Sequence, residues 1–223
     1  MSVTLVITSC NRQDLLETTL KSFFKFNTYK IEKIIIIEDS GIQGCIDEAI
    51  KNIPENIEKK IIYNETNIGQ IKSIDIAYSY VETEYIFHCE DDWEFYDYGF
   101  IEISLDIIEQ DKNIMCVWLR EYKNFSVIRN GHRINEKIIN NKYRLLGTIG
   151  VWRGFTFNPA LRRKKDYDIV KPYAKLDENC KYGGNVEKKL QIVYDKLNKI
   201  YAISLKESGY VKHIGWNCLT KRD

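Results

Sequence analysis

Apolar residues in the first half of the chain cluster in short unbroken runs, separated by stretches with helical spacing. Val3 to Thr8 has the length and aliphatic content of a buried strand. Ser9-Cys10-Asn11-Arg12 then turns the chain into a helix over residues 13–26, with Leu15, Leu16, Thr19, Leu20, Phe23 and Phe24 on its apolar face. Lys33 to Ile37 predicts a second strand, and the helix after it runs through Ile53, where Pro54 stops it. Lys60 to Tyr63 is the third strand. Asn67-Ile68-Gly69-Gln70 opens a helix whose apolar positions are Ile71, Ile74, Ala77, Tyr78 and Val81, leading into a fourth strand from Tyr85 to Cys89. Strands that are apolar on both faces and alternate with helices predict a mostly parallel α/β sheet, flanked by helices and joined by right-handed crossovers.

Past residue 99 the pattern loosens into a smaller mixed region. A helix over residues 100–110 and a strand from Ile114 to Leu119 come first, then a hairpin around Asn130-Gly131 within residues 125–134. Val186 to Leu197 has the spacing of a last helix, with strands near Tyr201 to Leu205 and Tyr210 to His213. The basic run Arg162-Arg163-Lys164-Lys165 reads as a solvated face, with phosphate binding as the second reading. At 223 residues the chain is long enough for one domain with a sizeable core.

Charge narrows the choice of partner by exclusion. Thirty-three Lys and Arg against 32 Asp and Glu leave a net charge of +1, so no overall field draws the protein to nucleic acid and an anionic ligand needs a local site. The six cysteines, Cys10, Cys45, Cys89, Cys116, Cys180 and Cys218, form no CxxC pair; this predicts free thiols in a reducing cytoplasm and argues against a zinc site built on them. Met1 to Ile7 enters an apolar segment without a basic leader or cleavage site, so no signal peptide is expected. No apolar stretch reaches the roughly 20 residues of a membrane span. The expectation is a soluble cytoplasmic protein, with peripheral membrane contact left open and no motif that sets an oligomeric state.

The chemistry concentrates at the end of the fourth strand, where Tyr85-Ile86-Phe87-His88-Cys89 gives way to Glu90-Asp91-Asp92-Trp93. Three adjacent carboxylates repel one another unless a cation answers them. At the carboxyl edge of an α/β sheet, where ligands gather, oxygen-rich clusters suit hard divalent ions such as Mg²⁺ or Mn²⁺; a solvated loop or a helix-capping turn is the competing reading. The other strands end in polar residues too: Thr8, Ser9 and Arg12 after the first, Glu38-Asp39-Ser40 after the second, Asn64 to Asn67 after the third. Brought to one edge, these ends describe a pocket suited to a nucleotide. GxGxxG does not follow the first strand and GxxxxGK[ST] occurs nowhere, which argues against dinucleotide and P-loop chemistry. A diphosphate would then need its charge neutralised by other means, such as a metal held by acids.

Thr4-Leu5-Val6-Ile7-Thr8-Ser9-Cys10-Asn11-Arg12, Glu38-Asp39-Ser40, Asn67-Ile68-Gly69 and Glu90-Asp91-Asp92-Trp93, in this order and spacing, resemble the GT-A glycosyltransferases, especially family 2. The resemblance covers nearly the whole chain and implies a single GT-A domain, with residues 1–98 as the nucleotide-sugar-binding half and 99–223 as the acceptor-binding half. It implies that Thr8, Ser9, Arg12 and Asp39 face the nucleoside, with Asn67 and Gly69 beside them. Asp91 would meet the ribose, and Asp92 would hold Mn²⁺ or Mg²⁺ against the diphosphate. Glu90 departs from the family's DxD-type motif, where an Asp usually stands; a carboxylate is kept, so it stays in the cofactor-binding set. Lys72, one helical turn past Gly69, is a further candidate for the nucleotide, with a surface lysine as the alternative.

Two late segments extend the resemblance. Gly209-Tyr210-Val211-Lys212-His213-Ile214-Gly215 is similar to the HxG-type segment that returns a histidine to the metal, which makes His213 the second metal candidate; imidazole also shifts preference toward Mn²⁺. Tyr182-Gly183-Gly184-Asn185-Val186-Glu187 is a glycine turn opening a helix with an acid in its first turn, where inverting members place their catalytic carboxylate. That implies Glu187 as general base; complementing the helix dipole behind an Asn185 cap is the competing reading. Trp152-Arg153-Gly154-Phe155-Thr156-Phe157-Asn158-Pro159 looks like the acceptor-side segment, and Trp93, Trp152, Phe155 and Trp216 are rings able to stack on sugar faces. With aromatics at 13% of the chain most rings must be core, so Trp93 and Trp152 alone are kept as acceptor or sugar contacts.

The function implied is transfer of a sugar from a nucleotide-diphosphate donor, by family frequency a UDP-sugar, to an acceptor hydroxyl with inversion, in glycan or polysaccharide synthesis. Two alternatives remain. A sugar nucleotidyltransferase would carry a glycine- and basic-rich loop where Ser9-Cys10-Asn11-Arg12-Gln13 stands, and a non-catalytic nucleotide-sugar or glycan-binding module would have no use for Asp92 with His213.

Overall fold

The computed structural model describes residues 1–124, 135–147, 154–177 and 183–215. In chain order its elements begin with β1 (Val3–Ser9), α1 (Gln13–Phe26), β2 (Lys33–Glu38), α2 (Asp47–Ile50), β3 (Glu58–Tyr63), α3 (Gln70–Ser79), β4 (Tyr85–Glu90), β5 (Trp93–Phe95) and α4 (Phe100–Gln110). There follow β6 (Ile114–Trp118), β7 (Asn135–Ile139), β8 (Tyr143–Gly147), β9 (Ala160–Arg163), α5 (Lys164–Val170), α6 (Gly183–Lys196), β10 (Ile200–Ser204) and β11 (Val211–His213).

The central sheet runs β3-β2-β1-β4-β9, with the first four strands parallel and β9 antiparallel beside β4. Alternation along the strands sends Val3, Leu5, Ile7, Tyr85, Phe87 and Cys89 to one face, where Leu16, Leu20, Phe23, Phe100 and Ile101 of α1 and α4 cover them. Val6, Ile35, Ile37 and Ile86 point to the other face, under Ile74 and Tyr78 of α3, Tyr167 of α5 and Val186 and Leu190 of α6. This two-sided cover is the architecture the hydropathy pattern predicts. The mixed region forms a second sheet, β6-β10-β8-β7, and β11 pairs antiparallel with β5. Because β9 crosses back into the first sheet, strands from both halves of the chain share it. Among the described residues no helix is long and apolar enough to cross a membrane.

Three local expectations are corrected. Arg162 and Arg163 are not a solvated face but part of β9, with Arg162 only 1% exposed. Arg162 donates to the Tyr78 hydroxyl (3.0 Å) and to the Thr156 carbonyl, and stands 5.2 and 5.6 Å from the Phe155 and Phe157 rings. Arg163 donates to the carbonyls of Ile108 and Ile114 and pairs with Glu109. Arg162 Nε is left buried without a partner, but a weakly hydrated guanidinium with both Nη groups hydrogen-bonded and rings against its face can be buried where a lysine could not. The helix expected through Ile53 shortens to α2, continued only by single turns such as Ile53 N–H to the Ile50 carbonyl (3.1 Å). The hairpin expected at Asn130-Gly131 lies outside the described residues. The hairpin seen is β7–β8, which turns at Asn140 and Asn141 with φ of 50° and 54°, the positive pair that a type I′ turn requires.

Candidate active site

The last two carbonyls of β1 each hold one acid turn. Thr8 accepts the Asp91 N–H (3.1 Å) and Ser9 accepts the Asp39 N–H (2.9 Å), while the register sets Ser9 beside Glu38 and Thr8 beside Glu90. The strand ends expected to share one edge therefore do so, with Thr8 and Ser9 buried between the two turns.

At the first turn, Asp39 Oδ1 accepts Asn64 Nδ2 (2.7 Å) and the Ile68 N–H (2.9 Å), and Oδ2 accepts the Gly69 N–H (2.8 Å). This ties β2 to the start of α3, where Gly69 takes a φ of 93°. Glu38 Oε1 accepts the Asn11 (2.8 Å) and Ser40 (3.0 Å) N–H groups. Asn67 reaches Cys10 Sγ at 3.5 Å across the same edge, whereas Lys72 stands exposed on α3.

The second turn joins β4 to β5 and carries Asp91 and Asp92, 0% and 6% exposed. Helix α1 anchors it: the Thr19 hydroxyl donates to the Asp91 carbonyl (2.8 Å) and accepts the Trp93 N–H (3.1 Å). Arg12, expected at the nucleoside, is engaged by this turn. Its Nε donates to Asp91 Oδ2 (3.1 Å), Nη2 to Asp91 Oδ1, and Nη1 to Asp92 Oδ2 (2.8 Å). Burial pushes Asp91 up to about 6 against the pull of Arg12, with the Asp92 charge adding to the push. Burial acts on Asp92 too, but the His213 hydrogen bond and Arg12 outweigh it and hold that carboxyl below its usual range. Glu90 accepts Gln70 Nε2 (2.6 Å) and Trp93 Nε1 (3.1 Å); burial and the Asp92 charge push it up to about 8, and the Glu187 charge contributes.

Two late elements complete the edge. Strand β11 sets His213 opposite Trp93, the Ile214 N–H donates to the Asp92 carbonyl (2.9 Å), and His213 Nε2 lies 3.2 Å from Asp92 Oδ2. Gly215 passes so close that any Cβ there would run into Asp92 Oδ2. From α6, Glu187 Oε1 accepts the Phe157 N–H (2.7 Å); burial raises its pKa, opposed by that bond and by the Thr156 hydroxyl. The helix starts at Gly183, so Glu187 falls beyond the first turn expected for it, where a dipole-complementing role fades.

The family model of Glycosyl transferase family 2 matches residues 4–182. The chain belongs to this family. No curated protein matches it. Solved structures share the fold: GalNAc-T7 with UDP, GalNAc and Mn²⁺ gives a TM-score of 0.67 at 13% identity, covering 95% of this chain and 43% of that one. S. aureus TarS 1–349 gives 0.63 at 16% identity, over 95% of this chain and 60% of TarS. Its complex with UDP-GlcNAc gives 0.61 at 14% identity, over 97% and 61%. This chain thus spans between 43% and 61% of the length of these structures.

In this family 2 domain the ring expected to meet sugar is walled in. Trp93 is 1% exposed and packs in the core, with the His213 ring at 5.0 Å and the Arg120 guanidinium at 5.4 Å. Its faces are covered, so it braces the acid turn through Glu90 rather than offering a stacking surface. Trp152 lies outside the described residues. The sequence pattern places Thr19 on an apolar helix face and Gln70 at a helix opening without giving either a role at the site, and it passes over Arg120, whose Nη1 donates to Asn158 Oδ1 (3.1 Å); a charged residue directly after the predicted Ile114 to Leu119 strand is the available signal for Arg120.

Donors present on this family 2 edge fit a divalent ion. Asp92 Oδ1 is buried without a hydrogen-bond partner, and the His213 imidazole stands beside the same carboxylate. Among the described residues no three His, Cys, Asp or Glu side chains cluster to hold a metal alone. A carboxylate and an imidazole suit an ion that takes its remaining ligands from a bound diphosphate and water.

Proposed function

We propose that this chain is the catalytic domain of a glycosyltransferase that moves a sugar from a nucleotide-diphosphate donor, a UDP-sugar, to an acceptor hydroxyl with inversion, in glycan or polysaccharide synthesis. The observation that carries this reading is the meeting, on one sheet edge, of the buried Asp91–Asp92 turn, its orphan oxygen and His213; a carboxylate of raised pKa, Glu187, is near enough for its charge to act on Glu90 beside that turn. The donor class is supported by the structural neighbours, GalNAc-T7 with UDP and Mn²⁺ and TarS with UDP or UDP-GlcNAc.

Thr8, Ser9 and Asp39, with Asn67 and Gly69, shape the nucleoside end; Asp39 Oδ2 keeps acceptor capacity beyond its bond to Gly69. Asp91 faces the ribose. Asp92 and His213 would hold Mn²⁺ or Mg²⁺, whose charge, when bound, offsets the negative charge that grows on the departing diphosphate. Glu187 takes the proton of the acceptor hydroxyl as its oxygen bonds to the anomeric carbon and the bond to the diphosphate oxygen breaks, and its raised pKa suits a base near neutral pH. Residues 1–98 form the donor side and 99–223 the acceptor side, where Trp152 stays a candidate sugar contact. Cys10, Cys45, Cys89 and Cys116 are free thiols, which supports a cytoplasmic setting.

Calorimetric titration of UDP with and without Mn²⁺ tests the reading. Binding is expected only with the ion, and Asp92→Ala should remove it. Glu187→Gln should keep UDP binding and lower turnover about 10³-fold. Metal-independent UDP binding, or none, would overturn the mechanism; persistent turnover in Glu187→Gln would move the base elsewhere.

A further inference from the structure

Arg12 makes every side-chain hydrogen bond described for it to the acid turn. Its fork grips both Asp91 oxygens and reaches Asp92 Oδ2, with the arginine side chain 23% exposed and Asp91 fully buried. Two adjacent buried carboxylates need a counter-charge to stay ionised together, and a guanidinium supplies one that no ordinary pH removes. The counter-charge is also held in place: Asp91 is pinned through its carbonyl by Thr19 and through Oδ2 by the Cys10 N–H (3.3 Å), and Arg12 opens α1 from the same edge.

On Asp92 the crowding is uneven. Arg12 and His213 both meet Oδ2, while Oδ1 is buried with no partner. A divalent ion arriving alone would find that oxygen and the imidazole, and would sit close to the fixed positive charge of Arg12. A nucleoside diphosphate brings enough negative charge to satisfy both cations.

We propose that Arg12 is the built-in counter-ion of the acid turn, a positioning residue that competes with a divalent ion for Asp92 and makes tight metal binding depend on the diphosphate. This rests on the reading of Asp92 and His213 as metal-holding residues. Without Arg12 the turn gains net negative charge and should accept the ion by itself.

The test uses the full chain and Mn²⁺ alone as probe, followed by the electron paramagnetic resonance of free Mn²⁺, in wild type, Arg12→Met and Arg12→Lys. Wild type should bind Mn²⁺ weakly without UDP and about tenfold or more tightly with it. Arg12→Met should raise affinity for Mn²⁺ alone about tenfold. Arg12→Lys, which keeps the charge but loses the fork, should raise it less and serves if the methionine variant does not fold. A merely structural arginine predicts the reverse, a fall in affinity for Mn²⁺ alone and for Mn²⁺ with UDP alike. Unchanged or lowered Mn²⁺ affinity in both variants, or wild type binding Mn²⁺ equally well with and without UDP, would overturn the proposal. Absence of UDP binding under every condition would instead sink the assignment of the site itself.

Discussion

Two acid pairs end the strands on either side of β1, and they are neutralised by opposite means. Glu38-Asp39 is met by the backbone N–H groups of Asn11, Ser40, Ile68 and Gly69 and by the Asn64 amide. Asp91-Asp92 has the Cys10 N–H and otherwise the side chains of Arg12 and His213. Backbone donors are fixed by the loops they belong to, so the first pair is part of the scaffold. Side chains can rotate away, so the second pair can exchange its partners for a ligand. Each pair keeps one buried oxygen without a partner, Glu38 Oε2 and Asp92 Oδ1, but only the latter shares its carboxylate with an imidazole.

The contrast breaks most visibly at Asp39. Asp39→Ala strands three donors, two of them buried, and should cost about 3 kcal/mol of stability in urea unfolding, whereas Asp92→Ala should leave stability within about 1 kcal/mol. Equal losses would erase the distinction between scaffold and exchangeable turn. Gly215→Ala comes next: its Cβ displaces the Asp92 carboxylate while leaving the first turn untouched, so Mn²⁺-dependent UDP affinity should fall about tenfold with the fold intact. A thermal melt beside the titration separates these two effects.

The smallest effect concerns a polar group served by neither means. His88 lies under the acid turn on β4, 0% exposed, with both ring nitrogens unpartnered. Burial, helped by the Arg162 charge, holds its pKa well below the ordinary 6.5. The unfolded chain therefore binds the proton more readily, so this contribution to stability is intact above pH 6.5 and lost as pH falls below it. His88→Leu should add about 1 kcal/mol near neutrality and flatten the acid side of the stability profile.

Much of the scaffold was legible in the sequence because its strands are apolar on both faces. β1, β2, β3 and β4 stand out as aliphatic runs, and the polar residues that follow them land on one edge as expected. β9 escaped notice because its burial depends on guanidinium groups that hydropathy scores as exposed, and β5 because three residues carry no period. At the site, residue types were visible but pairings were not. Arg12 could be read as a cation near a nucleotide, yet its choice of Asp91 and Asp92 follows from the path of α1, which no local pattern encodes. Trp93 was misread for a related reason: its burial depends on β11 and Arg120, far away in the chain.

The bond between β11 and the acid turn has a consequence for how the site matures. Asp92 and His213 are 121 residues apart, while Arg12 lies 80 from Asp92 and on the earlier side. The two separations differ little in closure entropy; what distinguishes the partners is that Arg12 precedes the turn in the chain and His213 follows it. During synthesis the acid turn can thus settle against Arg12 well before the His213 imidazole emerges. Completion of the site waits for the arrival of β11, so a chain stalled before residue 213 would carry both acid pairs and still lack His213, the second of the two residues proposed to hold the metal.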